Sequence, residues 1–188
     1  MAPAAIQTGS PPQQQWKRIF LSTWDFYSPA PNGEVGAVPA CSGVVQVYDF
    51  GLQAKTSLYG KIPVPTDWIA GTDAYIYPVW SMSTNTLGKV RWGIEYVAQV
   101  KNQSIAAVAI VAEGSMDADG TGVVLPPKPQ WLTLDGHLWG GEPVFQRDDF
   151  TQLAHIEFKW YRDALSALDT HVGTARLYGL VVMYQTFI

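Results

Sequence analysis

The chain has little of what most enzymes and nucleic-acid binders display. One cysteine in 188 residues, Cys41, leaves no partner for an intramolecular disulfide and no basis for a cysteine-rich metal site. It is in keeping with folding in a reducing compartment. Only 15% of residues are charged and the net charge is −4. Lys and Arg stand singly apart from Lys17-Arg18, so the basic stripe of a nucleic-acid binder is missing. No run approaches the ~18 apolar residues of a membrane span. The opening MAPAAIQTGSPPQQQW lacks the basic-then-apolar order of a secretory signal, so the Asn102-Gln103-Ser104 sequon is expected to be unused. There is no GxSxG elbow, no GxxxxGK[ST] phosphate loop and no GxGxxG turn.

What is present points to β structure. Hydrophobic residues make up 47% and aromatics 13%, with 8 Trp and 9 Tyr, the profile of a well-packed core. The 17 Gly and 13 Pro make turns frequent and long helices unfavourable. In "GKVRWGIEYVAQV", residues 88–100, Val90, Trp92, Ile94, Tyr96, Ala98 and Val100 alternate with Arg91, Gly93, Glu95, Val97 and Gln99. That period of two predicts a long strand with one dry face. Further strands are predicted at Lys17–Thr23, Val44–Phe50, Lys55–Ile62, Tyr75–Met82, Ser104–Ala112, near Trp131, Ala154–Arg162 and Ala175–Tyr184. Pro78 confines its strand to an edge or a bulge. Residues 29–40 read as a long loop, and Trp68 as the anchor of another. Eight to ten short strands without helical periodicity predict an all-β protein, an antiparallel β-sandwich of jelly-roll type. The expected organisation is a low-complexity arm over residues 1–15 and one sandwich domain over 16–188. The arm reads either as a frayed tail or as a strap along a neighbouring subunit.

Candidate chemistry is sparse. "DADGTG" at 117–122 has the start of a calcium loop, with Asp117, Asp119, Thr121 and Gly122, but position twelve is Lys128 rather than a bidentate Glu. An Asp/Gly turn is the expectation. His137, His155 and His171 lack metal-ligand spacing and are expected to be solvated. Cys41, beside a strand start, is expected to be a small packed residue. No cofactor is implied. Glu95 and Glu157 both fall mid-strand opposite aromatic rows. Facing each other across a cleft ~5–9 Å wide they could serve a glycosidase. Set beside Arg91 and Lys159 they are ordinary neutralised strand residues. Trp80, Trp92 and Trp160 fall on dry rows and read as core rather than as a sugar platform. Trp139, in a glycine-flanked loop, marks a loop anchor or a partner contact.

Three stretches, "LYGKIPVPTDWIAGTDAYIYPVWSM", "GKVRWGIEYVAQV" and "HIEFKWYRDALSALDTHVGTARLYGLVVMYQ", carry a recognisable pattern. Its positions are Ile62, Pro63, Asp67, Trp68, Gly71, Thr72, Asp73 and Trp80, then Gly88, Val90, Trp92 and Tyr96. Tyr161, Arg162, Asp163, Asp169, Thr170, Gly173, Ala175, Leu177, Gly179 and Tyr184 complete it. Over roughly residues 50–188 the chain resembles the jelly-roll β-sandwich structural proteins of tailed-phage virions. The resemblance implies a non-enzymatic capsid decoration (cement) or head-fibre protein, commonly trimeric, made in the host cytoplasm and carried on the virion. Its partners would be further copies of itself and a capsid or other virion protein, without nucleic acid or membrane. The interface candidates are Ile6, Pro11, Pro12 and Trp16 of the arm region, with Trp139 and Phe145. A lectin-like carbohydrate-binding module, or the receptor-binding part of a phage fibre, is the alternative from another class, and a glycan hydrolase using Glu95 and Glu157 is the third.

Overall fold

The computed structural model describes residues 12–28, 35–84, 86–99, 110–118, 130–131, 145–146 and 155–188. The expected alternation of wet and dry residues builds two sheets. In chain order the strands are β1 (Gln14–Ser22), β2 (Phe26–Tyr27), β3 (Val35–Gly36), β4 (Val38–Ser42), β5 (Val45–Phe50), β6 (Lys55–Pro63) and β7 (Asp73–Met82). They continue with β8 (Gly88–Gln99), β9 (Ile110–Ala118), β10 (Gln130–Trp131), β11 (Phe145–Gln146), β12 (His155–Asp163) and β13 (Ala175–Phe187). One sheet has the order β10-β7-β13-β5-β4, with β1 also on β13 and β11 also on β7. The other has the order β2-β6-β12-β8-β9, with β3 also on β6. Every pairing is antiparallel except β3 with β6. The architecture is therefore an antiparallel β-sandwich.

The dry rows meet between the sheets. Val90, Trp92, Ile94 and Tyr96 of β8 and Ile156, Phe158 and Trp160 of β12 face Phe50, Ile76, Trp80, Leu177 and Leu180 of the opposite sheet, all buried. Trp80, Trp92 and Trp160 are fully enclosed, as their rows require. Trp92 is the hub: it meets Phe50 edge-on at 5.1 Å, Trp80 edge-on at 5.7 Å and Trp160 at 5.7 Å. Edge-on contacts of this kind suit the ring quadrupole.

β13 has strands along both of its edges, so its backbone is paired on each side. β7 runs along one edge. On the other, β5 pairs with Ala175–Leu177 and β1 with Gly179–Phe187, and the β7 register shifts between Leu177 and Gly179. Among the described residues no strand pairs with Pro78 on the outer side of β7. On the outer side of β7 the β11 pairing ends at Ala74 and the β10 pairing begins at Val79.

Several expectations are corrected. β1 starts at Gln14, so Gln14 and Gln15 belong to the sheet rather than the arm, held opposite Phe187 and Thr186. The loop expected at 29–40 contains β3 and the first part of β4. Val44 and Val45 are exposed, because Val44 tips the β4–β5 hairpin beside Gly43, whose φ is +65°. Cys41 is exposed, because β4 lies at the end of its sheet. The strand expected at Ser104–Ala112 is described only from Ile110, and it continues through Ala118. Asp117 is thus a strand residue opposite Lys89 rather than the head of a turn. His171 is buried rather than solvated.

Candidate functional site

Three places bring polar or aromatic groups together. The first is interior. Arg162 is the last residue but one of β12 and is fully buried. Asp169 takes it through both oxygens, from Nε and Nη2 at 2.8 Å each. The guanidinium also donates to the carbonyls of Gly173 at 2.7 Å, His171 at 2.9 Å and Phe50 at 3.3 Å. Asp169 further accepts from the Arg91 backbone N–H at 3.0 Å. The His171 ring completes the joint: Nδ1 accepts from Gly173 N–H at 2.8 Å, and Nε2 lies 2.9 Å from the Thr86 carbonyl. With Nδ1 an acceptor, the proton sits on Nε2 and the ring is neutral. Burial holds its pKa below the ordinary histidine value. These groups weld the β12–β13 connection to the start of β8. They satisfy one another, and their role is structural.

The second place is the outer face of the β2-β6-β12-β8-β9 sheet. Register sets Tyr27, Tyr59, Lys159 and Glu95 in one row across four strands. Tyr27 and Tyr59 stack at 5.8 Å with an interplanar angle of 23°. Glu95 is bracketed by Lys159 at 2.6 Å and Lys55 at 3.2 Å. Glu157 pairs with Lys61 at 2.7 Å, and His155 Nε2 lies 3.4 Å from the same carboxylate. The Lys61 ammonium holds the Glu157 carboxyl below its usual range. Tyr27, Tyr59, Glu95, Glu157 and Lys159, with Tyr96, Val97 and Phe158, line an open groove of about 270 Å³, while Lys55, Lys61 and His155 stand outside it. Glu95 and Glu157 therefore share one surface, as one expectation had it, and Lys159 neutralises Glu95. Arg91 does not: β9 offers it Glu113, at 2.9 Å.

Beside the groove, Tyr161 lies opposite Gly93, which in turn lies opposite Glu113. The ring crosses the bare glycine and its hydroxyl donates to Glu113. Any side chain at residue 93 would run into that ring. Lys55 Nζ caps the ring at 3.6 Å from its centroid. Burial, reinforced by the bond to Glu113, drives the Tyr161 pKa upward.

The third place is the outer face of β1 and β13. Trp16, Arg18 and Phe20 of β1 stand opposite Gln185, Met183 and Val181. Trp16 and Phe20 are 46% and 53% exposed. Trp16 meets Tyr75 of β7 at 5.7 Å, and the Phe20 ring rests over Gly179. Among the described residues no strand pairs with the other edge of β1.

Of the interface candidates, Trp16 lies on this face and Pro12 is exposed just ahead of it. Phe145 is in β11, opposite Ala74. Ile6, Pro11 and Trp139 lie outside the described residues, as do His137, the sequon and residues 119–128 of the calcium-like loop. No group of three or more His, Cys, Asp or Glu side chains suited to a metal occurs among the described residues. Sequence reasoning missed the Arg162–Asp169 joint, the Tyr161–Glu113 bond and the Tyr27–Tyr59 stack. The one available signal was Tyr59 on the polar row of "KTSLYGKIP", where an aromatic is out of place.

No known protein family matches the chain, and neither the curated proteins nor the solved structures contain a match.

Proposed function

We propose that this is a non-enzymatic virion structural protein. In this reading it is a jelly-roll decoration module that binds the outer surface of a phage capsid as a symmetric homotrimer. The observation that carries the reading is the outer face of β1: a strand with no partner on its other edge among the described residues, bearing half-exposed Trp16 and Phe20, continued inward by Val181, Met183 and Tyr75. An exposed edge with aromatic side chains invites pairing, and closed symmetric assembly is the usual way to cover it. The strand order supports the jelly-roll reading. β5, β7, β10 and β13 fall in one sheet and β6, β8, β9 and β12 in the other, with β13 between β5 and β7 and β12 between β6 and β8. The motif resemblance to phage virion proteins supplies the setting. Binding the assembled shell alone would stabilise it by mass action.

The groove carboxylates favour this over the hydrolase reading. Glycoside hydrolysis requires one carboxyl held protonated, with a raised pKa. Here Lys61 moves Glu157 the opposite way, and two lysines bracket Glu95. Co-sedimentation with phage capsids tests the proposal. Wild-type protein should pellet with capsids, and the Trp16→Ser/Phe20→Ser variant should stay in solution while keeping its β-sheet circular dichroism. Failure of the wild-type protein to pellet with any capsid of a phage encoding such a chain would overturn it.

A further inference from the structure

We propose that the groove between Tyr27 and Glu157 on the outer face of the β2-β6-β12-β8-β9 sheet binds a neutral pyranose. The site is on the opposite sheet from the β1 face, so it stands or falls independently of the assembly reading. At about 270 Å³ the groove is near the small end of ligand sites, room for one sugar ring rather than a nucleotide. At one rim the stacked pair Tyr27–Tyr59 presents a flat aromatic surface, with Tyr27 45% exposed. The C–H face of a pyranose carries weak positive charge and suits the negative face of such a ring. Along the floor Glu95 is paired with Lys159 at 2.6 Å, and Glu157 is held at 2.7 Å by Lys61 from outside the groove.

That pairing selects the ligand class. An anion entering the groove meets two carboxylates, and an ammonium ligand finds both carboxylates already paired with lysines, Lys159 inside the groove and Lys61 outside it. A hydroxyl donates one hydrogen bond and accepts others, so it can bridge a carboxylate and an ammonium without leaving either unsatisfied. A ring carrying several hydroxyls and no charge therefore matches the paired ions. Charge-assisted bonds of this type are the stronger kind.

The test is a titration of the whole chain, labelled with nitrogen-15, with glucose, galactose, mannose and N-acetylglucosamine, followed by amide chemical shifts. At least one sugar should produce saturable shifts in β2, β6, β8 and β12. Tyr27→Ala should weaken that binding about tenfold, and Tyr27→Phe should retain it, because stacking needs the ring and not the hydroxyl. Glu157→Gln should also weaken it. Saturable shifts with none of the four sugars, shifts confined to other strands, or a Tyr27→Ala variant that binds as well as wild type would each overturn the proposal. Both Tyr27 variants should keep the wild-type melting temperature within a few degrees, since the side chain is half exposed.

Discussion

Asp169 grips Arg162 through both carboxylate oxygens, at 2.8 Å each, and the two side chains are 1% and 0% exposed. Burying two charges is costly, and the pair holds only because the remaining guanidinium donors reach the carbonyls of Phe50, His171 and Gly173. Asp169→Asn keeps the shape but leaves Arg162 as an uncompensated buried cation. The expected loss is about 3–5 kcal/mol in urea unfolding. Combining Asp169→Asn with Arg162→Met should cost clearly less than the sum of the two single changes, because the orphaned charge is gone. A single-variant loss below about 1 kcal/mol would show that the joint contributes little.

His171 makes the fold sensitive to mild acid. Its neutral ring is bonded at both nitrogens, and protonating Nδ1 would set two N–H groups against each other at Gly173. Burial and the nearby Arg162 lower its pKa, while Asp169 and the bonds to Thr86 and Gly173 oppose the shift without reversing it. The unfolded chain therefore takes up the proton first. The stabilisation is complete above the ordinary histidine value of about 6.5 and is lost as pH falls through it toward the lower folded value. Melting temperature should fall over that range in the wild-type protein. The slope should flatten in a His171→Gln variant, even though that variant is less stable overall. Parallel curves for the two proteins would rule out His171 as the source.

The Tyr161–Glu113 bond across Gly93 is expected to pin the outer face of the sheet. Tyr161→Phe removes a hydrogen bond to a charged group, at a cost of about 2 kcal/mol. Gly93→Ala forces the ring off its seat, at a cost of about 1–3 kcal/mol. The Tyr161 hydroxyl, helped by Arg91, also holds the Glu113 carboxyl below its usual range. That stabilisation is present above the ordinary carboxylate value and fades as pH falls through the lowered one. The two single variants should not be additive in a double-mutant cycle, since both disturb one ring. Additive losses would mean the ring and the glycine act separately.

The sandwich itself was legible because alternation is a direct record of which side of a strand is dry. Val90, Trp92, Ile94 and Tyr96, and likewise Ile156, Phe158 and Trp160, are buried as their rows require. Short or edge elements were not legible. β3 and β4 are too brief and too exposed to show a pattern, and β1 gains Gln14 and Gln15 only because β13 lies beside them. The candidate sites were legible in part. Glu95 and Glu157 fall on one face by parity alone, but their lysine partners depend on which strands are neighbours. Arg162 sits at a position where a strand pattern expects either water or hydrocarbon, and no period reveals a buried arginine. The motif positions Arg162, Asp169 and Gly173, read first as family likeness, have a physical reason in the bonds that they make. Asp67 is another such position, since it accepts from Lys17, Tyr184 and Thr186 and ties its loop to β1 and β13.

The most direct test of the central claim is the solution mass by light scattering, measured at two concentrations on the wild-type chain and on the Trp16→Ser/Phe20→Ser variant. The account predicts a wild-type mass near three chains, unchanged on dilution, and a folded monomer for the variant. A wild-type monomer at both concentrations would contradict it, and so would a variant that assembles as the wild type does.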